Sequence, residues 1–261
     1  RKTSVHIVSK SIFGYTIRHN MNNGFPLLTT KKMAVKTMMT ELKWFLKGRT
    51  DIEYLRENGC KIWDGDYKKS GRTDGDLGPI YGKQWRRWKG FRTDNSHTIK
   101  TKTDSVQYYD QLSMLIQQLK ENPDSRRLMV SAWNVADLEH MVLPPCHYGF
   151  QCYVANGKLS LMWNQRSCDV PLGIPFNIAS YGTLLLLLCE ETGYEPGELI
   201  GSLGDCHIYL NQIEGVKEQI NRDGFELPTM KLSNVDILNG EFDYELSNYQ
   251  SGTSIKFPLS N

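Results

Sequence analysis

Along the chain the apolar positions change period several times, and each change marks an element. The segment from Val5 to Arg18 is rich in β-branched and aromatic residues, and Gly14 interrupts it where a bulge or turn would sit. That pattern predicts two strands or one bent strand. From Lys32 to Lys47 the residues Val35, Met38, Met39, Leu42, Phe45 and Leu46 recur at three and four, predicting a helix with one buried stripe that Gly48 ends. Thr50 as N-cap, early acids at Asp51 and Glu53 and a stop at Gly59 predict a second, short helix. Asp64 to Gln107 is polar and rich in glycine, with a charge run from Lys89 to Lys102, and reads as surface loops. Val106, Tyr109, Leu112, Leu115, Ile116 and Leu119 then trace one face of a helix from Val106 to Asn122, stopped by Asn122-Pro123.

Beyond Leu128 the reading is strand-like over Leu128 to Trp133, Phe150 to Val154 and Leu159 to Trp163, with Asn156-Gly157 as the tight turn of a hairpin. Ile178 to Thr192 is apolar nearly all round and is expected to lie buried as a helix capped by Gly193. No repeat, low-complexity segment or linker divides the chain, so the expectation is one mixed α+β domain spanning 1–261.

Composition agrees with a folded globule: 261 residues, 39% hydrophobic, 11% aromatic and 23% charged. The 31 Lys and Arg against 29 Asp and Glu leave a net charge of +2, which argues against a partner such as duplex DNA or an anionic membrane and for a small ligand in a local basic pocket. Six cysteines lie scattered without CxxC or zinc-type spacing, which fits free thiols in a reducing cytosol and no metal. The apolar run from Leu184 to Cys189 is short for a membrane span, and the start shows no secretory pattern, so a cytoplasmic protein is expected.

The densest reactive cluster is Pro144-Pro145-Cys146-His147, followed by Gln165-Arg166-Ser167-Cys168-Asp169 and Gly173-Ile174-Pro175-Phe176-Asn177. Arg166 close to Cys146 would favour a nucleophilic thiolate, although a single cysteine among six is more often a small buried hydrophobe. His147 reads equally well as a core or loop histidine. Arg126, Arg127, Arg166, Ser167 and Lys2 could converge on a phosphate dianion or could form a solvated face. His207 and Tyr209 alternate on one side of a strand, either as donors to one ligand hydroxyl or as a structural pair. Glu41 sits in an apolar stretch, as an exposed helix carboxylate or as a buried one with a raised pKa.

Nine ordered blocks give the chain a family resemblance. They are Gly24-Phe25-Pro26-Leu27-Leu28-Thr29-Thr30-Lys31-Lys32, Glu41-Leu42-Lys43-Trp44-Phe45-Leu46, Ile62-Trp63-Asp64, the run from Gly78 to Arg86, Ser125-Arg126-Arg127, Pro145-Cys146-His147, Gln165 to Asp169, Pro175 to Tyr181 and Gly204 to Tyr209. Over essentially its whole length the chain resembles thymidylate synthases. The resemblance implies an α+β fold whose twisted mixed sheet forms a homodimer interface, with helices on the other side.

It also implies the chemistry. Cys146 would add to C6 of dUMP, after which C5 attacks the one-carbon unit of 5,10-methylenetetrahydrofolate. Glu41 would move protons at the folate and at O4, and Tyr81 would help remove the C5 proton, with Arg166 and Asp169 also counted in the catalytic set. Arg166, Ser167 and Lys2 would hold the phosphate together with Arg126 and Arg127 reaching across from the second subunit. Asn177 would match O4 and N3–H of uracil, where the related deoxycytidylate hydroxymethylases use an acid. His207 and Tyr209 would bind the 3′-hydroxyl, and Ile62, Trp63, Asp169, Leu172, Gly173 and Phe176 would shape the folate site.

Three positions and one segment depart from the family pattern. Lys2 stands where a guanidinium fork is usual, Asn164 replaces an aromatic residue, Asp66 replaces a tryptophan of the folate wall, and the segment Ile255 to Asn261 ends in polar residues. Because closure of that last segment keeps water from the intermediate, the departures motivate an alternative, a dUMP 5-hydroxymethylase in which water replaces hydride. A nucleotide- or RNA-binding protein without catalysis is the third reading, and the retained Cys146, Glu41, Tyr81 and Asn177 argue against it.

Overall fold

A computed structural model describes residues 8–92 and 105–259. The opening apolar segment is one strand, β1 (Ser9–Asn20), whose pairing keeps a single register across Gly14 at φ +82°, so the glycine inserts no extra residue. α1 (Val35–Leu46) starts later than the periodicity suggests and buries the expected stripe from Met38 to Leu46 together with Glu41 and Trp44, while Val35 is only partly buried. α2 (Ile52–Glu57) is capped by Asp51, not Thr50, because the extended Asp51 backbone lets its carboxylate accept from the Tyr54 amide at 3.0 Å.

The stretch expected to be loops contains α3 (Asp64–Ser70), α4 (Gly82–Arg87) and β2 (Trp88–Arg92). α3 buries no residue, so it leaves no apolar period to detect, and α4 and β2 are too short to show one. The rest of the charge run lies outside the described residues. β3 (Ser105–Tyr109) pairs antiparallel with β2, which corrects the helix boundary: Val106 and Tyr109 are strand residues. Their helical spacing is overridden by a distant ladder partner that no local window contains. α5 (Gln111–Glu121) begins after Asp110, whose carboxylate caps the Ser113 amide.

β4 (Met129–Ser131), β5 (His147–Ala155) and β6 (Lys158–Asp169) follow, and the β5–β6 turn has Asn156 at φ +53° and Gly157 at φ +74°, as a two-residue hairpin with matching twist requires. α6 (Gly173–Thr192) begins before Ile178 because Pro175 falls in the first turn, where its missing N–H costs nothing. Gly193 in the left-handed region ends it. β7 (Glu195–Tyr209), α7 (Ile213–Ile220) and the hairpin β8 (Thr229–Asp236) with β9 (Glu241–Ser247) complete the order.

The main sheet runs β1-β7-β6-β5-β4 and is mixed: β6 and β7 are parallel, joined by the α6 crossover, while the other pairs are antiparallel. α6 packs on β6 and β7 and is flanked by α1 and α5, which makes a mixed α+β domain. By length and composition α6 alone among the described helices could cross a membrane, contrary to the short run expected, yet two thirds of its apolar window (67%) is buried inside the fold. In the core Trp163 of β6 stacks on Tyr181 of α6 with ring centroids 5.5 Å apart. On the sheet's other side Gln151, Tyr153, Ser160, Met162, Glu198 and Ile200 line a concavity of about 540 Å³. Ile12, Phe13, Tyr15 and Tyr153 are each more than half exposed.

Candidate active site

The parallel pairing brings the ends of β6 and β7 together, with Asp169 opposite His207, beside the first turn of α6. α1 carries Glu41 toward the same point from the helical layer. Between these ends lies a cavity of about 500 Å³ lined by Glu41, Ile62, Trp63, Tyr81, Cys146, Ser167, Asp169, Leu172, Gly173, Phe176, Asn177, His207 and Tyr209. All thirteen were singled out in the sequence. Asp66, Leu143, His147, Gln165, Phe257 and Leu259 also face it.

Cys146 is partly accessible, whereas the other five cysteines are buried. Its backbone carbonyl accepts from the Arg166 amide at 2.9 Å, so the expected proximity of the two residues is present. Burial nevertheless pushes the Cys146 thiol above its ordinary pKa, the Arg166 charge pulls it down, and the Asp66 carboxylate pushes it up again.

Glu41 is buried and its Oε1 accepts from the indole Nε1 of Trp63 at 2.8 Å. Desolvation outweighs that bond and raises the carboxyl to about 7, which settles the alternative between exposed and buried in favour of buried. Tyr81 stands at the N-terminus of α4 with φ +30°, a conformation a non-glycine residue rarely adopts, and its phenol oxygen accepts from the Cys146 amide at 2.8 Å. Burial drives the phenol pKa well above its usual value, so Tyr81 stays protonated. Its ring lies 4.3 Å from the imidazole of His147. His147 meets the Tyr181 hydroxyl through Nδ1 at 2.9 Å, and burial lowers its pKa to about 3. It is a neutral part of the wall and not a base paired with the thiol.

Asn177 is oriented by Gln165, whose Nε2 donates to Asn177 Oδ1 at 3.1 Å and whose Oε1 accepts from Trp163. Gln165 was not given a role in the sequence, although a carboxamide continuing the buried alternation Leu159, Leu161, Trp163 is a detectable signal. His207 and Tyr209 share one side of β7 with rings 5.1 Å apart, and His207 Nδ1 lies 3.1 Å from the Asp205 carbonyl. Burial raises the Asp169 carboxyl while Gln212 Nε2, the Leu172 amide, His207 and Lys31 hold it down. Gln212 and Lys31 carry no sequence signal of this kind, because their partners lie far away in the chain.

Within the one chain described, none of Arg126, Arg127 and Arg166 lines the cavity. Arg166 is exposed and donates to the carbonyls of Pro144 and Pro145 at 2.9 and 3.0 Å, pinning the loop that bears Cys146. Arg126 and Arg127 are exposed on the turn between α5 and β4, away from the cavity lining. Lys2 lies outside the described residues. Among the described residues no group of three or more His, Cys, Asp or Glu could hold a metal ion. A family model described as Thymidylate synthase matches residues 1–261.

Proposed function

The chain belongs to the thymidylate synthase family, and from that premise we propose that it catalyses the reductive methylation of dUMP to dTMP. The family acts on dUMP, by methylation or by hydroxymethylase-type chemistry, with a folate as co-substrate. What carries the reading is the convergence of Cys146, Glu41, Tyr81, Asn177, His207 and Tyr209 on one cavity.

In this reading Cys146 adds to C6 of the uracil, giving up its proton as the carbon–sulfur bond forms, and the Arg166 charge favours the thiolate. The buried Glu41 carboxyl, near neutrality in pKa, holds or releases a proton at O4. Tyr81 takes part at the C5 proton. Asn177, turned by Gln165 so that its oxygen is already engaged, presents its NH2 to O4 of uracil. His207 and Tyr209 hold the 3′-hydroxyl. Arg166 and Ser167 hold the phosphate together with Lys2 and with Arg126 and Arg127 of the partner subunit, in a homodimer built on the exposed sheet face. Arg166 would turn from its two proline carbonyls toward the ligand.

The apolar wall of Ile62, Trp63, Leu172 and Phe176, with the Asp169 carboxylate at its edge, fits a flat heterocycle with N–H donors, and Gly173 leaves room for it. 5,10-Methylenetetrahydrofolate supplies the one-carbon unit and the hydride when bound there. The enzyme is read as cytoplasmic and independent of metal.

One observation favours the second reading, a dUMP 5-hydroxymethylase. Asp66, on α3, places a carboxylate in the cavity wall close enough to raise the Cys146 pKa, and a carboxylate draws water toward a site from which water must be kept. The deciding experiment is turnover of dUMP with 5,10-methylenetetrahydrofolate, following dihydrofolate absorbance and weighing the nucleotide products by mass. Dihydrofolate with dTMP supports the synthase. A 5-hydroxymethyl nucleotide without dihydrofolate replaces it with the hydroxymethylase, and no product from dUMP overturns both.

A further inference from the structure

The segment Ile255 to Leu259 forms the roof of the cavity, since Phe257 and Leu259 both line it. Its seating is built from three sides. The Phe257 ring lies 4.5 Å from Lys31 Nζ, and Lys31 itself is buried and donates to the Pro171 carbonyl. On α7, Gly215 makes space for the same ring: a Cβ there would come within 2.8 Å of it. The third side is Gln212, which is 1% exposed.

Every hydrogen-bonding group of the Gln212 carboxamide has a partner. Its Oε1 accepts from the Tyr209 amide at 3.0 Å. Its Nε2 donates to Asp169 Oδ2 at 3.1 Å and to the Pro258 carbonyl at 3.2 Å. One neutral side chain therefore joins the end of β7, a carboxylate in the cavity wall and the roof. If the roof lifts, the Gln212 N–H gives up the Pro258 carbonyl for water, so the bond adds the modest net worth of one hydrogen bond to the closed arrangement. If Asp169 swings away, the same NH2 loses the partner that aims it at Pro258.

We propose that Gln212 is a positioning residue that couples seating of the 257–259 roof to the orientation of Asp169. The roof then closes best over a site whose Asp169 is already in place, and by reciprocity a ligand held by Asp169 tightens the roof. The benefit to catalysis, exclusion of water, rests on the reading of the function given above. The coupling itself does not.

The test is a double-mutant cycle with hydrogen–deuterium exchange of the 250–259 peptide, read on the full chain without substrates. Gln212→Glu keeps the size and an acceptor for Tyr209 but turns a carboxylate toward Asp169 and Pro258. Gln212→Met keeps the volume and removes the donors without adding charge. Both should speed exchange of the roof by about tenfold or more. In the assay, the KM for the folate should rise about tenfold while dUMP affinity stays within about twofold, and in a chain ending at Ile255 the same substitutions should alter folate KM less than about twofold.

Unchanged roof exchange in both variants would overturn the proposal, as would a folate effect of equal size in the shortened chain. If neither variant folds while the shortened chain does, Gln212 serves only the junction of β7 and α7, and the proposal falls. An enzyme inactive on dUMP would leave the exchange result readable, so failure of the functional reading and failure of the coupling are separable.

Discussion

The amide of Cys146 donates to the phenol oxygen of Tyr81 at 2.8 Å, and this bond spans 65 positions of sequence. It joins the loop before β5 to the strained N-cap residue of α4, so the backbone strain at Tyr81 and the placement of Cys146 are parts of one arrangement. Tyr81→Phe should leave the Cys146 amide without its acceptor and lower stability by about 1–3 kcal/mol. Exchange of the C5 hydrogen of dUMP should fall at least tenfold, measured by tritium release, and unchanged exchange would remove Tyr81 from its catalytic role.

Cys146 can be alkylated selectively because the other five cysteines are buried. Asp66 raises its pKa and Arg166 lowers it, so Asp66→Asn should speed iodoacetamide labelling at pH 7.5 a few-fold and Arg166→Ala should slow it. Labelling rates that move in the opposite directions would contradict the electrostatic account of the site.

Glu41 titrates at about 7 in the folded protein against 4.5 for an ordinary glutamate. The native state therefore binds the extra proton, and this contribution to stability is full below pH 4.5 and is lost as pH rises through 7. Relative to Glu41→Gln, the parent protein should lose up to about 3 kcal/mol between those limits, an order-of-magnitude figure from the shift. Denaturant titrations across that range measure it. The parent's kcat profile should show an inflection near pH 7 that the variant lacks.

Asn177→Asp should shift preference from dUMP toward dCMP. An acid in place of the carboxamide that Gln165 orients reverses the donor and acceptor presented to the base. The ratio of kcat/KM for the two nucleotides should change at least tenfold, and an unaltered ratio would end the base-reading argument.

Complementation tests the phosphate site. If Arg126 and Arg127 act from the partner subunit, then Cys146→Ala and the double variant Arg126→Ala, Arg127→Ala are each inactive alone. Mixed one to one and allowed to exchange subunits, they should regain about a quarter of parental activity, because half the dimers are mixed and each mixed dimer holds one intact site. No recovery in verified mixed dimers would place those arginines outside the site.

The elements legible in the sequence have local signals. The stripe of α1, the Asn156-Gly157 turn and the Gly193 stop each depend on residues within one window, where period and backbone freedom act directly. The elements that the sequence leaves illegible are decided at a distance. Val106 and Tyr109 have helical spacing yet form a strand because β2 offers them a ladder. α3 has no apolar period because it buries nothing, so periodicity passes over it.

For the site, the sequence by itself determined which side chains are present and, through the family resemblance, which of them to suspect. Thirteen of the suspected residues do line one cavity. Tertiary structure alone decided their states. Glu41 is raised to about 7 because α1 buries it beneath Trp63, His147 stays neutral because the aromatic wall closes round it, and Gln212 reaches both Asp169 and Pro258 only after β6, β7 and the roof have assembled. Desolvation and hydrogen-bond partnership are properties of the surroundings of a group, and those surroundings are contributed by segments that the linear order keeps far apart.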